Sequence, residues 1–163
     1  MNRKLLVSLP LLLFLVLGIA TAPIFAGSNR NFSTRLSGDE EVPPVETRAQ
    51  GQAILMLSKD GQTLYYKLIA ANIENILQAH IHVAPEGVNG PIVAWLYPSA
   101  PPPVLIPDRF NGVLAQGAIT AANLVGPLAG HPLSDLIAAM EAGNAYVNIH
   151  TSQYPGGEIR GQV

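Results

Sequence analysis

Three of the four histidines of this chain fall in two short stretches, AHIHVAPEGVNGP at 79–91 and YVNIHTSQYPGGEIRGQ at 146–162. His80 and His82 are two residues apart, which on a β-strand puts both rings on one face, about 6.5–7 Å apart along the chain. Imidazole nitrogens hold transition metals at about 2.0–2.1 Å, and a three-histidine set leaves a coordination position open. His150, from a second strand, would complete such a set. Imidazole donors suit copper or zinc; the absence of cysteine, and of methionine near these stretches, argues against a blue-copper electron-transfer site. An H-x-H pair alone equally describes the polar face of an ordinary sheet. The concentration of three imidazoles in two motifs is what raises it above that.

Alternation along a strand fixes which way these rings point. Ala79, Ile81 and Val83 share one face and His80 and His82 the other; Val147 and Ile149 form one set, Tyr146, Asn148 and His150 the other. Burying each large aliphatic side chain stabilises the fold by about 1.5–3 kcal/mol, so the aliphatic sets face the core. The three histidines are therefore expected on the outer, polar face. Pairing Ile149 with Ile159 places His150 opposite Glu158 and Asn148 opposite Arg160, whereas a one-residue slip would turn Glu158 and Arg160 inward. A carboxylate beside a ligating imidazole orients the ring and raises its basicity, which makes Glu158, with Asn148, the expected supporting residues of the site.

The elements that would carry these residues are mostly short strands. Alternating or apolar runs stand at 32–36, 51–58, 62–70, 75–84, 91–97 and 112–120, and the chain finishes with AYVNIHT and GEIRGQV. Asp60-Gly61 suits a tight hairpin between the second and third runs. PSAPPPVLIP at 98–107, with prolines at half its positions, reads as an extended polyproline-like excursion. One helix is signalled: Leu133, Leu136, Ile137 and Met140 follow i, i+3, i+4, i+7, with Pro132 at the first helical position and Gly143 as the stop. A weaker helical turn is signalled at AANLV. Many strands at regular spacing with one or two helical inserts read as a β-sandwich or barrel-like sandwich.

Ahead of this domain, MNRKLLVSLPLLLFLVLGIATAPIFAGSN combines a short basic start with an uncharged apolar run and a small residue at Ala26, the pattern of a cleaved signal peptide. The expected organisation is a signal peptide at 1–26, a short linker at 27–31 and one domain at 32–163. A retained membrane anchor is the rival reading, disfavoured by Pro10 and Pro23. Loss of Arg3 and Lys4 shifts the net charge from −2 to −4, so the domain lacks the basic footprint of a nucleic-acid binder and has no affinity for anionic lipid once the signal is removed. Disulfides are permitted outside the cytoplasm, yet none is available here. About 135 residues are enough to bury a single apolar core.

Taken in order, LSGDEEVPPVETRAQGQAIL, LYYKLIAANI, AHIHVAPEGVNGPIV and YVNIHTSQYPGGEIRGQ resemble the successive blocks of a CHRD domain, the module named after chordin. The resemblance covers 32–163 and implies an extracellular, mainly β fold: an immunoglobulin-like or superoxide-dismutase-like antiparallel β-sandwich. It implies little about activity, and chordin's cysteine-rich modules have no counterpart here. More weakly, the histidine pattern is similar to that of copper/zinc superoxide dismutase, where an H-x-H strand precedes a Gly-rich loop and a late strand carries a further copper ligand. On that likeness His80, His82 and His150 match copper-ligand positions, while a zinc subsite, a disulfide and a fourth or bridging histidine have no match.

Other features take plainer readings. His131 is a helix-start or loop residue. Asp39, Glu40 and Glu41 read as a solvated acidic loop rather than a calcium site, and Glu86 and Asn89 as turn residues. Tyr65, Tyr66 and Trp95 read as packing. No nucleophile elbow, P-loop or dinucleotide fingerprint is present. The expectation is an exported, periplasmic or extracellular, non-enzymatic binding module that holds copper or zinc through His80, His82 and His150, without an organic cofactor. Copper-dependent redox chemistry and metal-free adhesion to an extracellular protein or matrix partner are the alternatives.

Overall fold

The strand after the Asp60-Gly61 turn determines the architecture. In the computed structural model, which describes residues 30–163, β2 (Gln50–Leu57) passes to β3 (Leu64–Val83) through a turn in which Gly61 takes a φ of 71°. The Asp60 carboxylate accepts from the Ser58 hydroxyl and the Gln62 amide. The sequence patterns at 62–70 and 75–84 belong to one twenty-residue strand. It bends rather than breaks between them, at Asn72 and Asn75, both with φ 55°. Asparagine enters this left-handed region at lower cost than most residues because its side chain bonds locally.

That length lets β3 belong to two neighbourhoods. Its first half pairs with β2 and its second half with β6 (Ala145–Thr151). β6 pairs with β7 (Ile159–Gln162), β7 touches β1 (Asn31–Ser37), and β1 pairs with β2. All pairings are antiparallel, so β1, β2, β3, β6 and β7 close into a barrel-like ring. β4 (Ile92–Tyr97) and β5 (Ile106–Ile119) add to β3 alongside it. The fold is mainly β and antiparallel as expected, but the seven strands of the described residues form one closing sheet rather than the two separate sheets of a sandwich. Closure abolishes most free edges.

The core lies inside this ring, where Leu36, Leu55, Leu68, Ile81, Val147, Ile149 and Ile159 are almost fully buried. Ile149 faces Ile159 and Asn148 faces Arg160, the expected register. The one α-helix among the described residues, α1 (Leu133–Glu141), buries the stripe Leu133, Leu136, Ile137 and Met140. Pro132 caps it one position earlier than expected, and Gly143 follows with φ 67°. The AANLV turn is a 3-10 helix at Ala121–Asn123. The signal peptide expected at 1–26 lies outside the described residues, and Asn31, assigned to the linker, already opens β1. Among the described residues no helix is long and apolar enough to cross a membrane.

Candidate metal centre

β3 and β6 lie side by side with His80 opposite Asn148 and Gln78 opposite His150. The alternation of the two strands therefore brings His80, His82 and His150 to one patch, with ring centroids 5.0–5.8 Å apart. One nitrogen from each ring lies within 4.8 Å of the others. The expected face is correct and the expected exposure is not. These rings point away from the aliphatic interior, yet His80 is 0%, His82 7% and His150 5% exposed. Every residue of β6, on both faces, is buried. The reason is that three loops fold over the outer face of β3 and β6.

Each loop is tied down by a specific contact. From the 84–91 loop the Gly90 carbonyl accepts the Nδ1 proton of His82 at 3.0 Å. A Cβ at Gly90 would sit 2.0 Å from the Val83 carbonyl oxygen, so only glycine lets this loop press so closely onto β3. From the 152–158 loop the Pro155 carbonyl accepts the Nδ1 proton of His150 at 3.1 Å. The 38–49 loop, folded back by the Val45 amide donating to the Gly38 carbonyl at 2.9 Å, lays Glu41 against Asn148. The Asn148 amide donates to Glu41 Oε2 at 3.4 Å.

Those two carbonyl contacts settle the tautomers of two rings. A carbonyl only accepts, so His82 and His150 carry the proton on Nδ1 and offer the Nε2 lone pair. His150 Nε2 lies 3.2 Å from His80 Nδ1, close to the ~3.3 Å edge of a tetrahedron drawn with metal–nitrogen bonds of about 2.0–2.1 Å. His82 Nε2 and His80 Nε2 are buried without a hydrogen-bond partner. Burial, reinforced by the neighbouring imidazoles, drives His80 down to about 3; burial and His82 drive His150 down to about 4. His82 is lowered too, by burial first and by the Arg160 charge, against the opposing Gly90 bond. The cluster is thus a set of neutral imidazoles at neutral pH, the protonation state a metal requires.

The surrounding shell differs from expectation. Glu158 does not orient His150: its carboxylate accepts from the Thr47 and Thr151 hydroxyls, each at 2.7 Å. Two nearby hydroxyl donors out-compete a ring whose Nδ1 is already committed to Pro155. Asn148 likewise touches Glu41 rather than an imidazole. The Tyr146 ring stacks on His82 with centroids 4.7 Å apart. The same ring lies under the Arg160 guanidinium, 3.5 Å from its centre, and its hydroxyl accepts from the Gly90 amide at 3.0 Å. Trp95 meets His80 edge to face at 4.3 Å.

Glu41 is the residue that sequence reasoning missed. Asp39 and Glu40 are exposed, as a solvated acidic loop should be, but Glu41 is 5% exposed. Burial pushes its carboxyl up to about 7, with the Asn148 bond and the Arg160 charge opposing and Glu158 adding. Gly157, at φ 132°, packs so closely that a Cβ there would lie 2.6 Å from Glu41 Oε1. The signal was present in EVPP, since the prolines after Glu41 cannot join a ladder and force the chain to turn. His131 stands apart from the cluster, exposed at the start of α1 with Nδ1 2.8 Å from Asp135. Glu86 and Asn89 lie in the exposed turn of the 84–91 loop. Tyr66 packs half-buried and donates to the Leu96 carbonyl at 2.9 Å, while Tyr65 stays exposed.

The fold and site together define an antiparallel barrel-like domain with a buried three-imidazole cluster under a lid of loops. The family model for the CHRD domain matches residues 32–163, and the chain belongs to the CHRD family. No curated protein matches the chain. No solved structure matches it either, so the likeness to superoxide dismutase rests on histidine spacing alone.

Proposed function

We propose that this CHRD domain is an exported, non-enzymatic module that binds one transition-metal ion, copper or zinc, through His80, His82 and His150. The observation that carries the reading is the pair of backbone contacts that leave Nε2 of His82 and of His150 as the ligating nitrogens, in a cluster whose donor atoms lie within 4.8 Å of one another. A buried polar atom without a partner is costly, about 1–3 kcal/mol, and an ion held by His82 Nε2 removes that cost there. Export is supported by the basic start, apolar run and small residue of the first 26 positions. Metal analysis of mature protein purified from its own compartment, beside a His80→Ala/His82→Ala variant, tests the function. About one ion per chain in the wild type and none in the variant is expected; no copper or zinc in the wild type overturns it.

A further inference from the structure

Resting on that reading, we infer that the site selects a monovalent ion, copper(I), over zinc(II) and copper(II), through the charge and closure of its surroundings. The donors are three neutral imidazoles, and the groups that orient two of them are neutral carbonyls, Gly90 and Pro155. No carboxylate hydrogen-bonds an imidazole of the cluster. Glu158 is held by Thr47 and Thr151, and Glu41 faces Asn148. The charge that acts on His82 is positive. Arg160 is 1% exposed and lies over the Tyr146 ring that stacks on His82.

An ion entering this patch therefore meets no carboxylate bonded to its ligand rings and gives up its hydration. The solvation energy it loses grows with the square of its charge, so a dication loses about four times as much as a monocation of the same size. Repulsion from Arg160 doubles for the dication as well. Sulfur softness, the usual route to copper(I) selection, plays no part among the described residues: the chain has no cysteine, Met56 is exposed and Met140 is in the core.

Closure acts in the same direction. Zinc(II) completes its shell with a fourth ligand, and in three-histidine sites that ligand is water. Here the Nε2 atoms of His80 and His82 are out of solvent reach and every ring is at least nine-tenths covered. Copper(I), with a single charge, is satisfied by two or three nitrogens and needs no water. Silver(I), with the same charge and no redox chemistry under these conditions, is a direct probe of the charge argument.

The experiment titrates metal-free mature protein with silver(I), with copper(I) held by a competing chelator under ascorbate, and with zinc(II) and copper(II) separately. Copper(I) and silver(I) are expected to bind one per chain and at least about 100-fold more tightly than zinc(II). Zinc(II) or copper(II) binding as tightly as copper(I) overturns the selectivity and leaves metal binding standing; no binding of any ion overturns both. Arg160→Met supplies an independent arm. In a variant that still takes up silver(I), the silver-to-zinc ratio should narrow about tenfold, and an unchanged ratio removes the guanidinium from the explanation.

Discussion

His150 Nδ1 stands 3.1 Å from the carbonyl oxygen of Pro155, five residues further along the chain. This contact fixes the ring's tautomer and so decides which nitrogen faces His80. The partner is a backbone atom, so it is not removed by changing a side chain, but it depends on the path of the 152–158 loop. Gly157 controls that path. A Gly157→Ala change places a methyl group 2.5 Å from Asn148 Nδ2 and 2.6 Å from Glu41 Oε1, at a φ of 132°. The expected result is a loss of about 1–3 kcal/mol of stability, read from urea unfolding, together with weakened ion binding as the lid lifts.

Glu158 separates a structural carboxylate from one that tunes the imidazoles. Glu158→Gln weakens two charge-assisted hydrogen bonds, from Thr47 and Thr151, and should cost about 1.5–3 kcal/mol. Because His150 is oriented by Pro155 instead, ion affinity in the folded variant should change by less than about threefold. A large loss of affinity with little loss of stability would return Glu158 to the role of an orienting partner.

An ion that binds only the folded chain adds stability by mass action, about 2.7 kcal/mol at a free concentration 100 times its dissociation constant. Wild-type protein should therefore melt higher with ion than after chelation. A His80→Gln/His82→Gln/His150→Gln variant should melt at one temperature in both conditions. Calorimetry with and without chelator checks this.

Two opposed contributions set the pH dependence of the metal-free protein. Unfolded imidazoles take up protons around 6.5, whereas folded His80 and His150 wait until about 3 and about 4, and His82 is also lowered. Their contribution is full above 6.5 and is lost as the pH falls toward the folded values. Glu41 works the other way. Its unfolded value is 4.5 and its folded value about 7, so its contribution is present at low pH and is lost as the pH rises from 4.5 through 7. Three histidines against one carboxyl leave stability rising with pH through this range, with Glu41 flattening the rise between 4.5 and 7. Urea midpoints should therefore fall on acidification below 7. Glu41→Gln should steepen that fall, and an unchanged slope would remove Glu41 from the account.

What was legible in the sequence is what period-two alternation and pairing register determine. The shared face of His80 and His82, the Ile149–Ile159 register and the Leu133 to Met140 stripe all follow from local pattern, and the structure agrees with each. What was hidden is non-local. Nothing in AHIHV states that Gly90 will fold back over His82, nor does YVNIH announce a lid that buries its polar face. The alternation correctly assigned an outer face, and outer was equated with wet. The same confusion led Glu41 to be read with its exposed neighbours Asp39 and Glu40. The strand count erred for a related reason: Asn72 and Asn75 look like turn residues, and only the partners waiting on either side keep β3 continuous through them.

The division of the cluster between β3 and β6 has a consequence for timing. Before the domain folds, an extended chain carries an H-x-H pair without its third donor or its carbonyl anchors. Some seventy residues separate His80 from His150, and they meet only when the ring of strands shuts. On the proposed function, the choice of ion is postponed to the compartment in which the barrel finishes folding. The metal supply there, rather than that at the ribosome, decides what the protein carries.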